Sequence, residues 1–300
     1  MKEESSLKRS FYCIVISVAI FLASPVYAAL NDTDAEMLRQ AFQAGGFLME
    51  EIEPLLRDQR LALHPEILNQ KTKGINYLRP RFGLLSRSSI KRGQQVLKEH
   101  RNTLKNIEVS YGVPGEILVA IFRVETNLGR NLGQYRVFNS LLTLTVMVNR
   151  RSLWAGQELI DLLTLCKNNL TNPFSIKGSA AGAFGLCQFM PSSYLTYGTD
   201  GNGDGMVDLF DFSDAMASTA NFLRSHGWHN RNVKKQFRAI LAYNHCENYA
   251  KAVLSYSKQV KPNHTLKANT TRKNSKHSNG ARGKNITRTK VLLTFGQFCG

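Results

Sequence analysis

The chain has 300 residues, 43% of them hydrophobic, which supports a globular core of one large domain or two small ones. Its formal net charge of +17 would suit nucleic acid, but the charge is uneven: residues 261–290 carry nine Lys and Arg and no Asp or Glu. With over half of the excess in one tail, the body is only mildly basic and no nucleic-acid partner is expected.

The chain opens on an export pattern. Lys8 and Arg9 precede an apolar run, Phe11 to Ala23, that is short for a membrane span, and Val26-Tyr27-Ala28 follows as a processing site. Residues 1–28 are therefore read as a signal peptide cleaved after Ala28, with an uncleaved anchor as the rival, and the mature protein is expected in the periplasm. Cys13 lies inside the apolar run, away from the cleavage point, which argues against lipidation.

Residues 29–260 read as the folded unit, a helical N-terminal part to 110 and a core from 111. Asp32 to Ile52 has helical periodicity with a cap at Asp32 or Thr33. Residues 53–85, broken by Pro54, Pro65, Pro80 and Gly83, allow only short helical pieces. Ser86 to Val109 is basic and helical, capped by Ser86 or Ser88.

Pro114 to Gly129, PGEILVAIFRVETNLG, is the stretch around which the chain is organised. Pro114 suits the first helical position, Ile117, Ile121, Val124 and Leu128 share one face, and Gly129 is a natural terminator. Near its end stands one carboxylate, Glu125, crowded by Ile121, Phe122 and Leu128. Apolar surroundings disfavour the charged form and raise a carboxyl pKa, the state a general acid needs near neutral pH. The competing reading is a helix-terminal Glu pointing into water.

Ser152 to Asn169 follows as an amphipathic helix with Leu153, Ile160, Leu163 and Leu165 as core candidates. Lys177 to Gln188 is rich in Gly and Ala, which lets backbone approach a ligand or another helix. Ser179 and Gln188 offer neutral hydrogen bonds there, and Phe184, Phe189, Tyr194 and Tyr197 offer flat faces that suit sugar rings. Tight packing of the loop is the alternative.

Asp200 to Asp211, DGNGDGMVDLFD, has EF-hand-type spacing. Asp200, Asn202 and Asp204 fall at positions one, three and five, Gly205 at the sharp turn, Met206 at the carbonyl position, and Asp208 where a water-mediated ligand sits. Position twelve is Asp211 rather than Glu, so Asp214 is a second candidate to close the site. Calcium is expected, in a structural role, against an acidic turn without metal. Three helices complete the chain: Ser213 to Gly227, Val233 to Tyr243 and Glu247 to Lys258. Tyr243 and Asn244 end the second and can position a polar ligand. Alternating β-branched runs are scarce, so the fold class is mainly α. The tail, 261–300, is basic and mostly too polar to bury a core, so disorder is its default.

Taken together, VPGEILVAIFRVETNLGR, KGSAAGAFGLCQFMPSSY, DGNGDGMVDLFD, ANFLRSHGW and AYNHCENYA, in this order, resemble the lytic murein transglycosylase B family. The resemblance covers roughly residues 31–258. It implies a lysozyme-like transglycosylase fold and cleavage of the β-1,4 bond between N-acetylmuramic acid and N-acetylglucosamine in peptidoglycan glycan strands, leaving a 1,6-anhydro-muramyl end. It makes Glu125 the catalytic residue and places Ser179, Gln188, Tyr243 and Asn244 along the sugar groove. It assigns Asp200, Asn202, Asp204, Met206 and Asp214 to calcium, favouring Asp214 over Asp211. A non-catalytic peptidoglycan-binding protein on the same fold is the alternative, and the basic tail is a candidate for contact with the wall.

The chain departs from the family pattern at Cys187, Cys246 and Phe222. No CxxC or Cys/His metal spacing occurs. Cys166, Cys187, Cys246 and Cys299 could pair in an oxidising compartment. Cys187 and Cys246 flank the site segments, which leaves open a disulfide between them or two buried free thiols.

Overall fold

A computed structural model describes residues 30–69, 75–148 and 150–261. The expected signal peptide, the tail beyond Lys261 and Cys299 lie outside the described residues. The axis of the fold is helix α5 (Gly115–Thr126), in which every residue except Glu116 is buried. A helix apolar all round must be covered on all sides. Four helices do so: α3 (Arg87–Glu99), α4 (Arg101–Tyr111), α9 (Phe212–Ser225) and α11 (Glu247–Val260). Around them lie α1 (Asp32–Ala44), α2 (Met49–Leu56), α6 (Val137–Met147), α7 (Ser152–Asn168), α8 (Pro191–Tyr197) and α10 (Val233–Tyr243).

Strands are minimal. β1 (Tyr135–Arg136) pairs antiparallel with β2 (Lys177–Gly178), Tyr135 opposite Gly178. Single bridges from Gly178 to Phe184 and from Phe184 to Phe189 fold the Gly-rich segment back on itself. The mainly α class holds.

Several expected helix boundaries move. The Asp32–Ile52 stretch is two helices, because Gly45 and Gly46 end α1, with Gly46 at φ 86°. Asn31, rather than Asp32 or Thr33, caps α1 through its side chain. Ser86 caps α3 as expected, by accepting the Ser89 N–H at 3.2 Å. His100 divides the Ser86–Val109 stretch, ending α3 and opening α4. Pro114 is the cap of α5 rather than its first residue, and α5 stops at Asn127, before Gly129, because Asn127 already takes left-handed φ. Asp211, not Ser213, caps α9 by accepting the Ser213 and Asp214 N–H groups.

Helices α6 and α8 carry no amphipathic signal that sequence reading picked up. From Val137 to Thr145 α6 is wholly buried, so no polar face marks its period. In α7, Leu163 and Leu165 join the core, but Leu153, on the first turn, is 93% exposed.

Cys166, Cys187 and Cys246 are buried free thiols, so the Cys187–Cys246 disulfide is not formed. Burial pushes the Cys187 thiol up to about 12, which leaves it a small apolar side chain in chemical effect.

Gly178 tests the Gly-rich fold. A Cβ there would run into the Ala183 carbonyl oxygen, which accepts the Ser179 N–H at 2.7 Å. Gly178→Ala should lower stability by about 1–3 kcal/mol, as overpacked sites do, measured by urea denaturation.

Candidate functional site

Glu125 sits in the last turn of α5 and is 2% exposed. Its Oε1 accepts the Tyr249 hydroxyl at 2.6 Å, while its Oε2 has no protein partner. Burial pushes the Glu125 carboxyl up to about 8, and the Tyr249 hydrogen bond opposes that rise. Among the described residues no carboxylate or cation contributes to the shift. Glu125 is therefore a neutral carboxylic acid at pH 7, and the reading of a solvent-facing Glu is excluded.

Tyr249 comes from α11. It lies inside AYNHCENYA, yet nothing in that string signals that its hydroxyl reaches Glu125, 124 residues earlier. Its ring stacks parallel to Tyr243, with centroids 6.4 Å apart. Tyr243, at the end of α10, is 1% exposed and donates its hydroxyl to the Cys187 carbonyl at 2.6 Å. The pair carries the Gln188 loop and Glu125 on one aromatic stack.

Gln188 is wholly buried with φ 53°, a left-handed conformation uncommon for a residue with a side chain. Its Nε2 donates to the Gly185 carbonyl at 3.0 Å and the Leu132 carbonyl at 3.3 Å, while Oε1 has no partner. Asn244, 3% exposed beside Tyr243, likewise has an unpartnered Oδ1. Ser179, 1% exposed, accepts the Ala181 and Ala183 N–H groups and so pins the turn that leads to Gln188. The structure thus buries Glu125, Ser179, Gln188, Tyr243 and Asn244, and Tyr243 and Tyr249 link three of their segments.

The aromatic residues expected as sugar faces are largely core. Phe184, Phe189 and Tyr194 are buried. Phe189, Tyr197 and Tyr243 all pack around Phe222, whose ring stacks on His226 at 4.0 Å. Tyr197 alone of the four stays half-buried.

In the 200–211 loop, Asp200 accepts the Gly203 and Gly205 N–H groups at 2.6 and 2.8 Å, Asn202 accepts from Asp204, and Asp204 accepts from Met206. Gly205, at φ 88°, makes the sharp turn. Asp214 is fully buried under the loop; its oxygens accept N–H groups of Gly201, Asn202 and Asp208 at 2.8–3.2 Å. Among the described residues no three His, Cys, Asp or Glu side chains gather as a metal cluster. The donor set is nonetheless all oxygen and includes an amide and a carbonyl, which suits calcium rather than a softer metal. Each of Asp200, Asp204 and Asp214 keeps lone pairs beyond the bonds named here.

A raised carboxyl pKa has a stability signature. The folded protein holds the Glu125 proton up to about pH 8, whereas the unfolded chain releases it near 4.5. Between these values the unfolded state binds fewer protons, so this group's stabilisation is full below the window and is lost as pH rises through it, by about 1.4 kcal/mol per pH unit. Glu125→Gln should flatten that part of the stability–pH curve in denaturant titrations and leave the variant the more stable protein at pH 8.

The sequence profile of the transglycosylase SLT domain matches residues 31–236. The membrane-bound lytic murein transglycosylase B of Escherichia coli K12 is 38% identical over 166 residues, 55% of this chain. That match spans 45% of the relative, under half its length. The catenated lytic transglycosylase SltB1 from Pseudomonas aeruginosa has a similar fold, with a TM-score of 0.70 and 27% identity over 77% of this chain and 98% of that one. The Escherichia coli lytic transglycosylase SLT35 in complex with calcium gives 0.69 and 26%, over 77% and 93%. The matched profile, the shared fold and the ordered motifs agree, and the chain belongs to the transglycosylase SLT domain family.

Proposed function

We propose that this protein is an exported peptidoglycan lytic transglycosylase that uses Glu125 as its single acid and base. The observation that carries the reading is the state of Glu125: buried, neutral at pH 7, held on one oxygen by Tyr249 and unpartnered on the other. Relatives named lytic transglycosylases support the substrate class.

Tyr249 donates to Oε1, so the acid proton belongs on Oε2, the oxygen left for substrate. From Oε2 it passes to the glycosidic oxygen as the bond to the muramyl anomeric carbon breaks. The substrate's own N-acetyl group stabilises the positive charge that develops there. Glu125, now ionised and accepting from Tyr249, takes the proton of the muramyl 6-hydroxyl, whose oxygen closes the 1,6-anhydro ring. An intramolecular nucleophile needs no second carboxylate to position water, unlike ordinary glycoside hydrolysis. Gln188 Oε1 and Asn244 Oδ1 are buried acceptors suited to N–H or O–H groups of the sugars, and Ser179 and Tyr243 hold the backbone that aims them.

Calcium belongs to the proposal as a structural ion held by Asp200, Asn202, Asp204, the Met206 carbonyl and Asp214. When bound it supplies a positive charge that ties the loop to the start of α9. The N-terminal segment would direct export to the periplasm, and the basic tail would touch the anionic wall. No helix among the described residues is long and apolar enough to cross a membrane.

Digestion of purified peptidoglycan with product masses tests the reaction. Wild type should release anhydro-muropeptides, and Glu125→Gln should be slower by about 10²–10⁴-fold or more. Hydrated reducing ends would replace the mechanism with hydrolysis, and no products would favour a binding protein. Calcium has its own readout. Added calcium should raise the melting temperature of wild type, by mass action on the folded state, and leave an Asp200→Ala, Asp204→Ala double variant unmoved.

A further inference from the structure

A cavity of about 560 Å³ lies between residues 59–66 and the chain that enters α6, and none of Glu125, Ser179, Gln188, Tyr243 and Asn244 lines it. Small-ligand sites are of this size, about 300–1,000 Å³. Both walls are held. Asn139 and Thr143, one turn apart on α6 and buried, fix the first: Asn139 Nδ2 donates to the Arg60 carbonyl at 2.9 Å, and Thr143 Oγ1 accepts the His64 N–H at 2.9 Å. The second is β1, where Tyr135 pairs with Gly178 and the following Val137 N–H bonds the Ile176 carbonyl at 3.0 Å. Gln59 and Gln134 line the cavity and are exposed, so it reaches solvent.

Its charges are largely answered within the chain. Arg60 spends Nε and Nη2 on Asp58 at 2.9 and 2.7 Å, and its guanidinium lies over the Phe174 ring, 5.0 Å from the centroid. His64 Nδ1 lies 3.0 Å from Glu66 Oε1. Three lining groups are left over: among the described residues no hydrogen bond or ion pair engages the side chains of Gln59, Gln134 or Arg136. Two are neutral amides and one is a half-buried guanidinium. Each presents a planar set of polar atoms. The amides both donate and accept and the guanidinium donates, which together match neighbouring hydroxyls or an acetamido group. Tyr135 and His64, edge to face with centroids 5.3 Å apart, add aromatic surface. A carboxylate would find one uncommitted cation here and would also meet Glu66, so the lining favours a neutral polar ligand.

The cavity adjoins the candidate active site along both strands. Gln188 Nε2 donates to the Leu132 carbonyl at 3.3 Å, and Gln134 is two residues further on, at most about 7 Å between Cα atoms. On the other strand Ser179 directly follows Gly178, the partner of Tyr135. We propose that this cavity is a further sugar subsite, taking a neutral N-acetylated sugar of the glycan strand beyond those held at Glu125 and Gln188. This rests on the peptidoglycan reading above. Gln59 and Gln134 bond the hydroxyl and acetamido groups, Arg136 donates to their oxygens, and Tyr135 packs against the ring. A strand long enough to fill the cavity then binds more tightly than one that ends at Gln188.

The test is calorimetric titration of the full chain carrying Glu125→Gln, which removes turnover, with β-1,4-linked N-acetylglucosamine oligomers from dimer to hexamer. Affinity should rise with length and then level off. Adding Gln59→Ala and Gln134→Ala should weaken the hexamer by about tenfold, the loss expected for two neutral hydrogen bonds, and Arg136→Gln should weaken it by a similar factor. Both glutamines are exposed and unbonded, so their double variant should keep its melting temperature, which guards against a folding defect at Arg136. Hexamer binding that neither variant changes, or no binding of any oligomer, would overturn the subsite. So would an acidic stem-type tripeptide whose binding these variants weaken while the hexamer is untouched, which would make the cavity a peptide site. Digestion of peptidoglycan by the otherwise wild-type chain is the separate control: its failure sinks the enzyme reading, whereas oligomer binding lost in the variants would still establish the subsite.

Discussion

The structure depends on keeping one carboxyl group dry. Glu125 closes a helix whose other residues are almost all buried, and the helices around it exist, in packing order, to cover that helix. An ionised carboxylate in such a place would be costly, so the group takes a proton instead. Tyr249 limits the effect: its hydroxyl favours the ionised form, which keeps the pKa at about 8 rather than higher. A carboxyl poised there can give a proton and take one back near neutrality, which neither a surface Glu nor a wholly isolated one could do.

The supports of that carboxyl are aromatic and distant in sequence. Tyr249 reaches Glu125 from α11, Tyr243 stacks on Tyr249 and reaches the Cys187 carbonyl, and Gln188 follows with left-handed φ. Rings fix position well because they have few rotatable bonds and large packed faces. Of the residues expected to offer aromatic faces to a ligand, Phe189 and Tyr197 are instead spent on this scaffold, and Phe184 and Tyr194 pack on each other. Phe189 and Phe222 pack against Tyr243 and set its height.

What the sequence made legible follows from local physics. The i, i+3, i+4 pattern around Glu125 predicted an apolar enclosure, and the enclosure is there, because helical spacing alone brings those neighbours together. The 200–211 turn was legible because its Gly and Asx spacing is a local geometry, and Gly205 turns where expected. The Ser86 cap was legible for the same reason. Tyr249 was not, since a hydrogen bond spanning 124 residues leaves no periodic trace. Helix α6 was missed because burial on every side erases the amphipathic signal, and the break at His100 has no Gly or Pro to announce it. Leu153 shows the converse error: an apolar residue in phase with a helix face still ends in solvent when it lies on the first turn.

Three buried oxygens, Glu125 Oε2, Gln188 Oε1 and Asn244 Oδ1, have no protein partner. Each such group typically costs about 1–3 kcal/mol, a large part of a domain's net stability. Relaxation could relieve that cost if the loops were soft, but here they are held. The Gln188 amide is fixed by two carbonyls on its nitrogen side, so its oxygen cannot turn to a backbone donor. Asn244 follows Tyr243, whose hydroxyl is committed to Cys187. Glu125 is clamped by Tyr249. In Gln188 and Glu125 the satisfied half of the group holds the unsatisfied half in place, and Asn244 is placed by its neighbour. A bound ligand with N–H or O–H groups would recover the missing bonds without reorganising the protein, and that preorganisation is what makes a rigid, under-bonded site bind and stabilise charge better than a relaxed one.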